Sequence, residues 1–397
     1  MNEHHADIVI FGAGIAGLWL HYRLRKAGYN SLLLEKNAIG SGQTIASQGI
    51  IHSGLKYAFG GKINALAKSI SAMPDLWRAA LAGRGDVDLS AARTNADSQY
   101  LMVPNGLMAG LVKLVTKQAL GNAVHDVPEK EWPENIKASG FKGAMIFMDE
   151  PVLDVPSVLR ALAAPFEDSI RKIDHFLFDG NSVSVGEDKI FAKLFIFTAA
   201  ESNARIAAEL GHDTGLETQA RPLVQGMMKN APYPLYAHCV GASDKPAVTI
   251  TTHKANDGSL VWYLGGSVAE RKFDSSAQDV FKAAQDAFAK YLPNVDLSQA
   301  EWATLPINRI EGRSTTHGWM PDTPTIHTFG KVLYAWPTKL TFAPLLSDMI
   351  LEKLASMDFS RTPTDWSFLP QAPYATTPWD SAQWSSNLKS ARSAAQA

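Results

Sequence analysis

Gly12, Gly14 and Gly17 in IVIFGAGIAGLWL, with Glu35 closing SLLLEK, are of the types and spacing that hold a dinucleotide. Gly12 permits a tight turn after the apolar run Asp7 to Phe11. Gly14 removes a side chain where a pyrophosphate must approach, and Gly17 lets the following helix pack closely on its strand. Ile15 and Ala16 open that helix, whose N-terminal N–H groups and dipole favour anions. Glu35 stands near the roughly 20-residue offset of a carboxylate that holds ribose hydroxyls, and Lys36 follows it. A lone glycine motif would also fit an ordinary turn in an α/β protein; strand, turn, helix, second strand and acid in this order argue for a dinucleotide. The chain has no GxSxG elbow and no paired-carboxylate constellation. His4, His5, His125, His175, His212, His317 and His327 lack metal-ligand spacing, so no metal is expected.

Those residues need a large framework, and 397 residues are enough for two domains or one large one. A net charge of −2 offers no basic field for nucleic acid. Cys239 is the single cysteine, which excludes an intrachain disulfide and thiolate clusters and suggests a reducing, cytoplasmic setting. The opening apolar run follows His and acidic residues rather than a basic region, so it reads as neither signal peptide nor membrane span. Peripheral contact with a membrane face stays compatible with the sequence.

The remaining elements recur in an interrupted order. Helical spacing marks 61–81, 107–119, Asp154 to Ala164, Phe281 to Tyr291 and Leu340 to Leu354. Strand patterns mark Gln99 to Val103, Ile170 to Phe178, Ser182 to Val185, Lys193 to Thr198 and Val332 to Trp336. Alternation at Leu223 to Met228, Ala247 to Thr252 and Leu260 to Leu264 suggests an antiparallel sheet with one covered face. Beyond Ser356 a Pro-, Ser- and Ala-rich tail carries Trp366, Trp379 and Trp384 and is expected to wrap the surface. An NAD domain usually closes over about 150 contiguous residues. Strand–helix elements that return after a β-rich region favour FAD instead.

After Glu35 comes GSGQTIASQGIIHSGLKY, whose Ser47-Gln48-Gly49-Ile50-Ile51-His52-Ser53-Gly54 is similar to a Ser-x-Gly-x-x-His-x-Gly signature. The chain here resembles the D-amino-acid-oxidase-like (DAO) FAD-dependent oxidoreductases, which include glycerol-3-phosphate dehydrogenase, L-2-hydroxyglutarate dehydrogenase, sarcosine oxidase and glycine oxidase. Thr198-Ala199-Ala200 resembles the family's "ATG" strand end, Pro321-Asp322-Thr323-Pro324 its "TPDGxP" segment, and Lys339-Leu340-Thr341 the Lys-Leu-Thr of glycerol-3-phosphate dehydrogenases. The resemblance spans about residues 6 to 355 in the right order. Two departures stand out. Glu201 follows the ATG-like element, and Trp336-Pro337-Thr338-Lys339 replaces the glycine-rich segment common before the last helix of amine oxidases.

The resemblance implies that FAD does the redox step, with Gly42, Thr44, Ala46, Ser47, Gln48 and Gly49 along its ribityl chain and ring, Ile173 by the adenine, and Ala199 and Ala200 near the adenosine. It points the N-terminus of the last helix, with Lys339, Leu340 and Thr341, at the flavin's pyrimidine end, where reduced flavin is anionic; a lysine at a helix start is otherwise poorly placed. His52 has three readings: base or substrate contact in alcohol oxidation, a packing residue on the ring, or the site of covalent flavin attachment. Lys56 and Tyr57 are expected to face substrate, with lysine where glycerol-3-phosphate dehydrogenase has arginine. Arg309 and Arg313 lie where the family places an anion-binding arginine; Arg309 is preferred over a solvated basic loop. His238, His253 and Tyr263 belong to the sheet that should roof the flavin; structural histidines are the default there, and contact with substrate is the alternative reading, held for His253 and Tyr263.

The expected fold is α/β, a discontinuous Rossmann-like FAD-binding domain (1–80, 145–215 and 310–360) with a β-sheet-rich substrate domain (81–144 and 216–309) and a tail from 361. The expected activity is hydride transfer from a small anionic hydroxy substrate, a 2-hydroxy acid or glycerol-3-phosphate-like alcohol. The alternatives are an amino-acid or secondary-amine oxidase on the same fold, and a flavin-binding subunit without turnover. Oxygen, a quinone or a carrier protein would accept the electrons.

Overall fold

The computed structural model of the chain describes residues 2–53, 70–105, 124–212, 218–241, 245–270, 275–312, 323–337 and 339–386. Lys56, Tyr57, Arg313, Pro321 and Asp322 lie outside these residues, as do the expected helix at 107–119 and the first part of the one at 61–81. Among the described residues, two eight-stranded sheets and a two-stranded ribbon organise the chain.

The main path of the first sheet runs through Thr325–Phe329, Val332–Trp336, Asp188–Phe197, Asn2–Phe11, Ser31–Glu35 and Ile170–Lys172, and Ser182–Val185 pairs with Asp188–Phe197 and with Leu177–Phe178 off that path. Asn2–Phe11 is flanked by parallel neighbours on both sides. Alternation along the strands divides their apolar residues between two faces. Ile8, Ile10, Leu33, Leu194 and Ile196 meet the helices Ile15–Lys26, Val155–Ala163 and Ala343–Leu354. Val9, Phe11, Leu32, Leu34, Phe195 and Phe197 meet Ile206 and Ala207 of the helix Glu201–Glu209, and Trp366 and Leu369 of the tail. Both faces are covered, so these strands read as solid apolar runs.

The second sheet runs through Glu301–Gly312, Thr218–Lys229, Leu260–Gly265, Pro246–Lys254, Ala237–Val240, Gln99–Pro104, Gly143–Met148 and Val124–Val127. The helix Ala277–Tyr291, begun by a Ser276–Asp279 capping box, covers one face. Val248, Ile250, Trp262, Leu264, Ala237 and Cys239 point to it. By strand alternation the opposite face takes Gln99, His238, Thr249, Thr251, His253, Tyr263 and the position of Arg309.

Strand pairing and burial assign several segments to one sheet or the other. Gly143–Met148 pairs with Gln99–Pro104, so the second sheet reaches 148, and its last strand reaches 312. Val87 and Leu89 join the first core, which therefore extends past 80. No change in composition marks these junctions; pairing and burial set them. The tail wraps both halves. Asp7 accepts hydrogen bonds from the backbone N–H of Ser360 and Arg361, Tyr374 bridges to Ile39, Trp379 stacks on His253, and Ser385 pairs with Trp302.

Candidate functional site

The glycine cradle forms where the first strand meets its helix. Gly12 has φ +100°, and a Cβ there would lie 2.9 Å from the Thr198 carbonyl oxygen. A Cβ on Gly17 would fall 2.0 Å from the Gly12 carbonyl oxygen, so only glycine allows this approach of helix to turn. Gly14 caps the helix with no side chain of its own. The Thr44 hydroxyl takes the Ile15 N–H at 3.1 Å, and Ala16 is buried in the first turn. The buried Glu35 carboxylate accepts the Ala13 N–H at 2.7 Å and the Asn37 N–H at 2.8 Å, which fixes it beside the loop; Lys36 is exposed. The Ile173 N–H bonds the Glu35 carbonyl at 2.9 Å, setting Ile173 next to that strand end. Thr198 closes the cradle by donating its hydroxyl to the carbonyls of Phe11 and Gly12. Ala200 holds φ +47°, a region that favours glycine, with its carbonyl bonded by the Trp336 indole N–H.

The segment after Glu35 lies between the two sheets. Gly42 and Gly49 take positive φ, and a Cβ on Gly49 would lie 2.5 Å from the Leu153 carbonyl oxygen. The Gln48 amide donates to the Tyr263 carbonyl at 2.9 Å and reaches the Thr249 carbonyl and Thr251 hydroxyl at 3.3 Å. The Tyr263 hydroxyl returns a bond to the Ala46 carbonyl at 2.8 Å, and burial raises its pKa. The Ser47 hydroxyl is buried with no hydrogen-bond partner among the described residues. A helix N-terminus with no capping side chain of its own, a side-chain-free approach at Gly14, and this unpartnered hydroxyl fit a flavin dinucleotide.

Thr341 links this segment to the last helix. Its hydroxyl donates to the Ile50 carbonyl and accepts the His52 N–H, both at 3.4 Å, and its carbonyl takes the Trp77 indole N–H at 3.0 Å. Leu340–Phe342 form a single 3-10 turn before Ala343–Leu354, so the expected helix begins with a tighter turn; Lys339 caps it, half-buried, with its ammonium 5.8 Å from the Phe342 ring centre.

Two histidines converge on a carboxylate that sequence reasoning missed. Glu150 is 1% exposed. One oxygen accepts the Ser53 N–H at 2.7 Å and the Ser53 hydroxyl at 2.9 Å. The other meets His52 Nδ1 at 3.4 Å, His238 Nε2 at 3.5 Å and the Gln99 amide at 3.4 Å. Burial works to raise the Glu150 pKa, but the bonds and charges of His238 and His52 outweigh it and hold the carboxyl well below the usual carboxylate range. Nothing around Glu150 in MDEPVL distinguishes it from Asp149, a partly buried neighbour that pairs with Arg78. The three side chains have ligand atoms within 4.8 Å of one another, a gathering the histidine spacing did not foretell.

The other expected substrate residues separate. Arg309 is half-buried on the sheet face turned toward this segment, and the next residue's N–H bonds the Gln43 side chain at 3.1 Å. His253 is enclosed: its ring nitrogens meet Asn95 at 3.2 Å and Thr251 at 3.1 Å, Trp379 stacks on it, and burial lowers its pKa to about 3. Both side chains are buried, and the Tyr263 hydroxyl ties the sheet to the segment. The polar atoms of both are engaged by the protein.

The DAO family model, described as FAD dependent oxidoreductase, matches residues 7–326. A probable FAD-dependent oxidoreductase of Pseudomonas aeruginosa is 39% identical over 378 residues, covering 92% of this chain and 95% of that protein. The crystal structure of that oxidoreductase superposes with a TM-score of 0.80 at 34% identity, over 96% of this chain and 99% of the other. Glycine oxidase from Geobacillus kaustophilus shares the fold at TM-score 0.64 and 17% identity, over 91% and 100% of the two chains. FAD-bound L-alpha-glycerophosphate oxidase from Mycoplasma pneumoniae shares it at TM-score 0.62 and 13% identity, over 94% and 100%.

Proposed function

From a chain that belongs to the DAO family of FAD-dependent oxidoreductases, we propose that its donor is a small anionic alcohol, a 2-hydroxy acid or a glycerol-3-phosphate-like compound. FAD, when bound, accepts the hydride. The observation that carries this reading is His52 set against the ionised Glu150 at the junction of the two sheets. A hydroxyl must lose its proton as the hydride leaves its carbon, and an imidazole backed by a carboxylate can take it near neutral pH. An ammonium is acidic enough to lose its proton to solvent before the hydride leaves, whereas an alcohol is far too weak an acid to do so without a base, so this arrangement favours a CH–OH donor over CH–NH. Arg309, on the sheet face turned to the same junction, would bind the substrate's anionic group. Thr341 would hold the end of the last helix against the His52 segment, and Lys339 would add positive charge there. Electrons would then pass to oxygen, a quinone or a carrier protein. No helix among the described residues is long and apolar enough to cross a membrane.

Anaerobic mixing with hydroxy acids, glycerol phosphate and amino acids tests the reading. Bleaching of the flavin band near about 450 nm by hydroxy compounds alone, slowed in His52→Asn, is the expected result. Bleaching by amino acids alone, at a rate His52→Asn leaves unchanged, overturns it in favour of the amine reading.

A further inference from the structure

We propose that Glu150, braced by His238, is the positioning residue that sets the tautomer and basicity of His52. The inference rests on His52 acting as base, as proposed above. A carboxylate is acceptor-only, so each imidazole nitrogen facing Glu150 must carry the proton. For His52 that nitrogen is Nδ1, which makes Nε2 the proton-accepting nitrogen. For His238 it is Nε2, and its Nδ1 then accepts the Thr249 hydroxyl at 2.9 Å. The two rings take opposite tautomers around one carboxylate, with centres 6.0 Å apart.

The carboxylate cannot swing. Ser53 holds one oxygen through two bonds, and His52, His238 and Gln99 surround the other. These groups arrive from three places in the chain: the flavin segment, the strand Gln99–Pro104 and the strand Ala237–Val240. Among the described residues, the titratable groups on Glu150 are His52 and His238, and Ser53 and Gln99 complete its donors. The imidazole contacts of 3.4 and 3.5 Å are long for charge-assisted bonds. Such contacts commonly tighten as positive charge develops on the base. When the substrate O–H bond breaks and an N–H bond forms at His52 Nε2, the imidazolium keeps its Nδ1 proton directed at Glu150, which stabilises the charge. His238 adds a second donor that keeps Glu150 ionised and in place.

The test compares Glu150→Gln, His52→Asn and the double variant by rates of anaerobic flavin reduction against pH, in protein shown to retain FAD. Glu150→Gln is expected to reduce the flavin on the order of 10²-fold more slowly at pH 7, and to move the midpoint of the pH–rate profile down by about one unit or more. It should slow His52→Asn by less than about twofold, because a positioning residue acts only through the base. His238→Gln, which leaves the carboxylate and its other donors, should slow reduction about tenfold and carries the test if Glu150→Gln fails to hold FAD. Equal slowing by Glu150→Gln with and without His52, or an unmoved pH profile, overturns the proposal while the base reading stands. About one tightly held divalent metal per wild-type chain, lost in Glu150→Gln, also overturns it, since Nδ1 would then ligate rather than donate. A His52→Asn variant that reduces at the wild-type rate removes the base itself, and the role of Glu150 with it.

Discussion

Replacing Gly14 with alanine separates folding from cofactor binding more cleanly than any other change in the cradle. Gly14 has ordinary extended backbone angles that alanine adopts freely. Its new Cβ would lie 3.1 Å from the Thr44 hydroxyl, a side-chain atom that can give by a few tenths of an ångström. Apo-protein stability should therefore change by about 0.5 kcal/mol, or about 2 °C or less in Tm. The same methyl projects where a pyrophosphate must approach. Overpacking there costs about 1–3 kcal/mol, a weakening of FAD binding by about 5- to 150-fold. Two neighbours bracket the effect. Gly17→Ala would set a Cβ 2.0 Å from the Gly12 carbonyl oxygen, so it should destabilise the apo-protein by about 3 kcal/mol or more and lose FAD. Gly28→Ala, at φ +85° with nothing within 4 Å, should cost about 1–2 kcal/mol of backbone strain and leave FAD affinity unchanged. Melts of deflavinated protein and FAD titration by fluorescence measure both quantities. Wild-type affinity in Gly14→Ala, or equal losses in Gly14→Ala and Gly28→Ala, would refute the assignment of the phosphate site.

His52→Asn should slow anaerobic flavin reduction by about 10²- to 10⁴-fold while FAD content stays at the wild-type level. Arg309→Ala should raise KM for an anionic substrate by about 10- to 150-fold, the loss of one charge-assisted contact, with kcat changed far less; steady-state kinetics on the substrate found above distinguish the two. Asp7→Asn weakens the bonds that hold Ser360 and Arg361, and should expose the tail to limited proteolysis at a cost of about 1–3 kcal/mol in urea melts. Burial lowers the pKa values of His21 and His253 to about 3, so both are neutral when folded and protonate on unfolding below about 6.5. Their contribution is complete above pH 6.5 and is lost as pH falls toward 3, at about 1.4 kcal/mol per pH unit for each. Urea melts between pH 7 and 5 should show a slope shallower by that amount in His253→Asn.

The nucleotide cradle and much of the secondary structure were legible because their causes are local. Gly12, Gly14 and Gly17 answer to backbone geometry within one turn, and the alternation of Ile8, Val9, Ile10 and Phe11 between two cores answers to the period of a strand. Val332–Trp336 and the helix ended by Tyr291 were readable for the same reason. The partner of Gly143–Met148 was not, because an apolar strand carries no mark of the sheet it will join. The meeting of His52, Glu150 and His238 belongs wholly to the tertiary structure. Residues 52, 150 and 238 come together only when the strands Gln99–Pro104 and Ala237–Val240 pair in register and their sheet closes over the flavin segment. The environment of a titratable group is a sum over neighbours in space, so the sequence could nominate His52, while only the packed sheets could supply the carboxylate that gives it a direction.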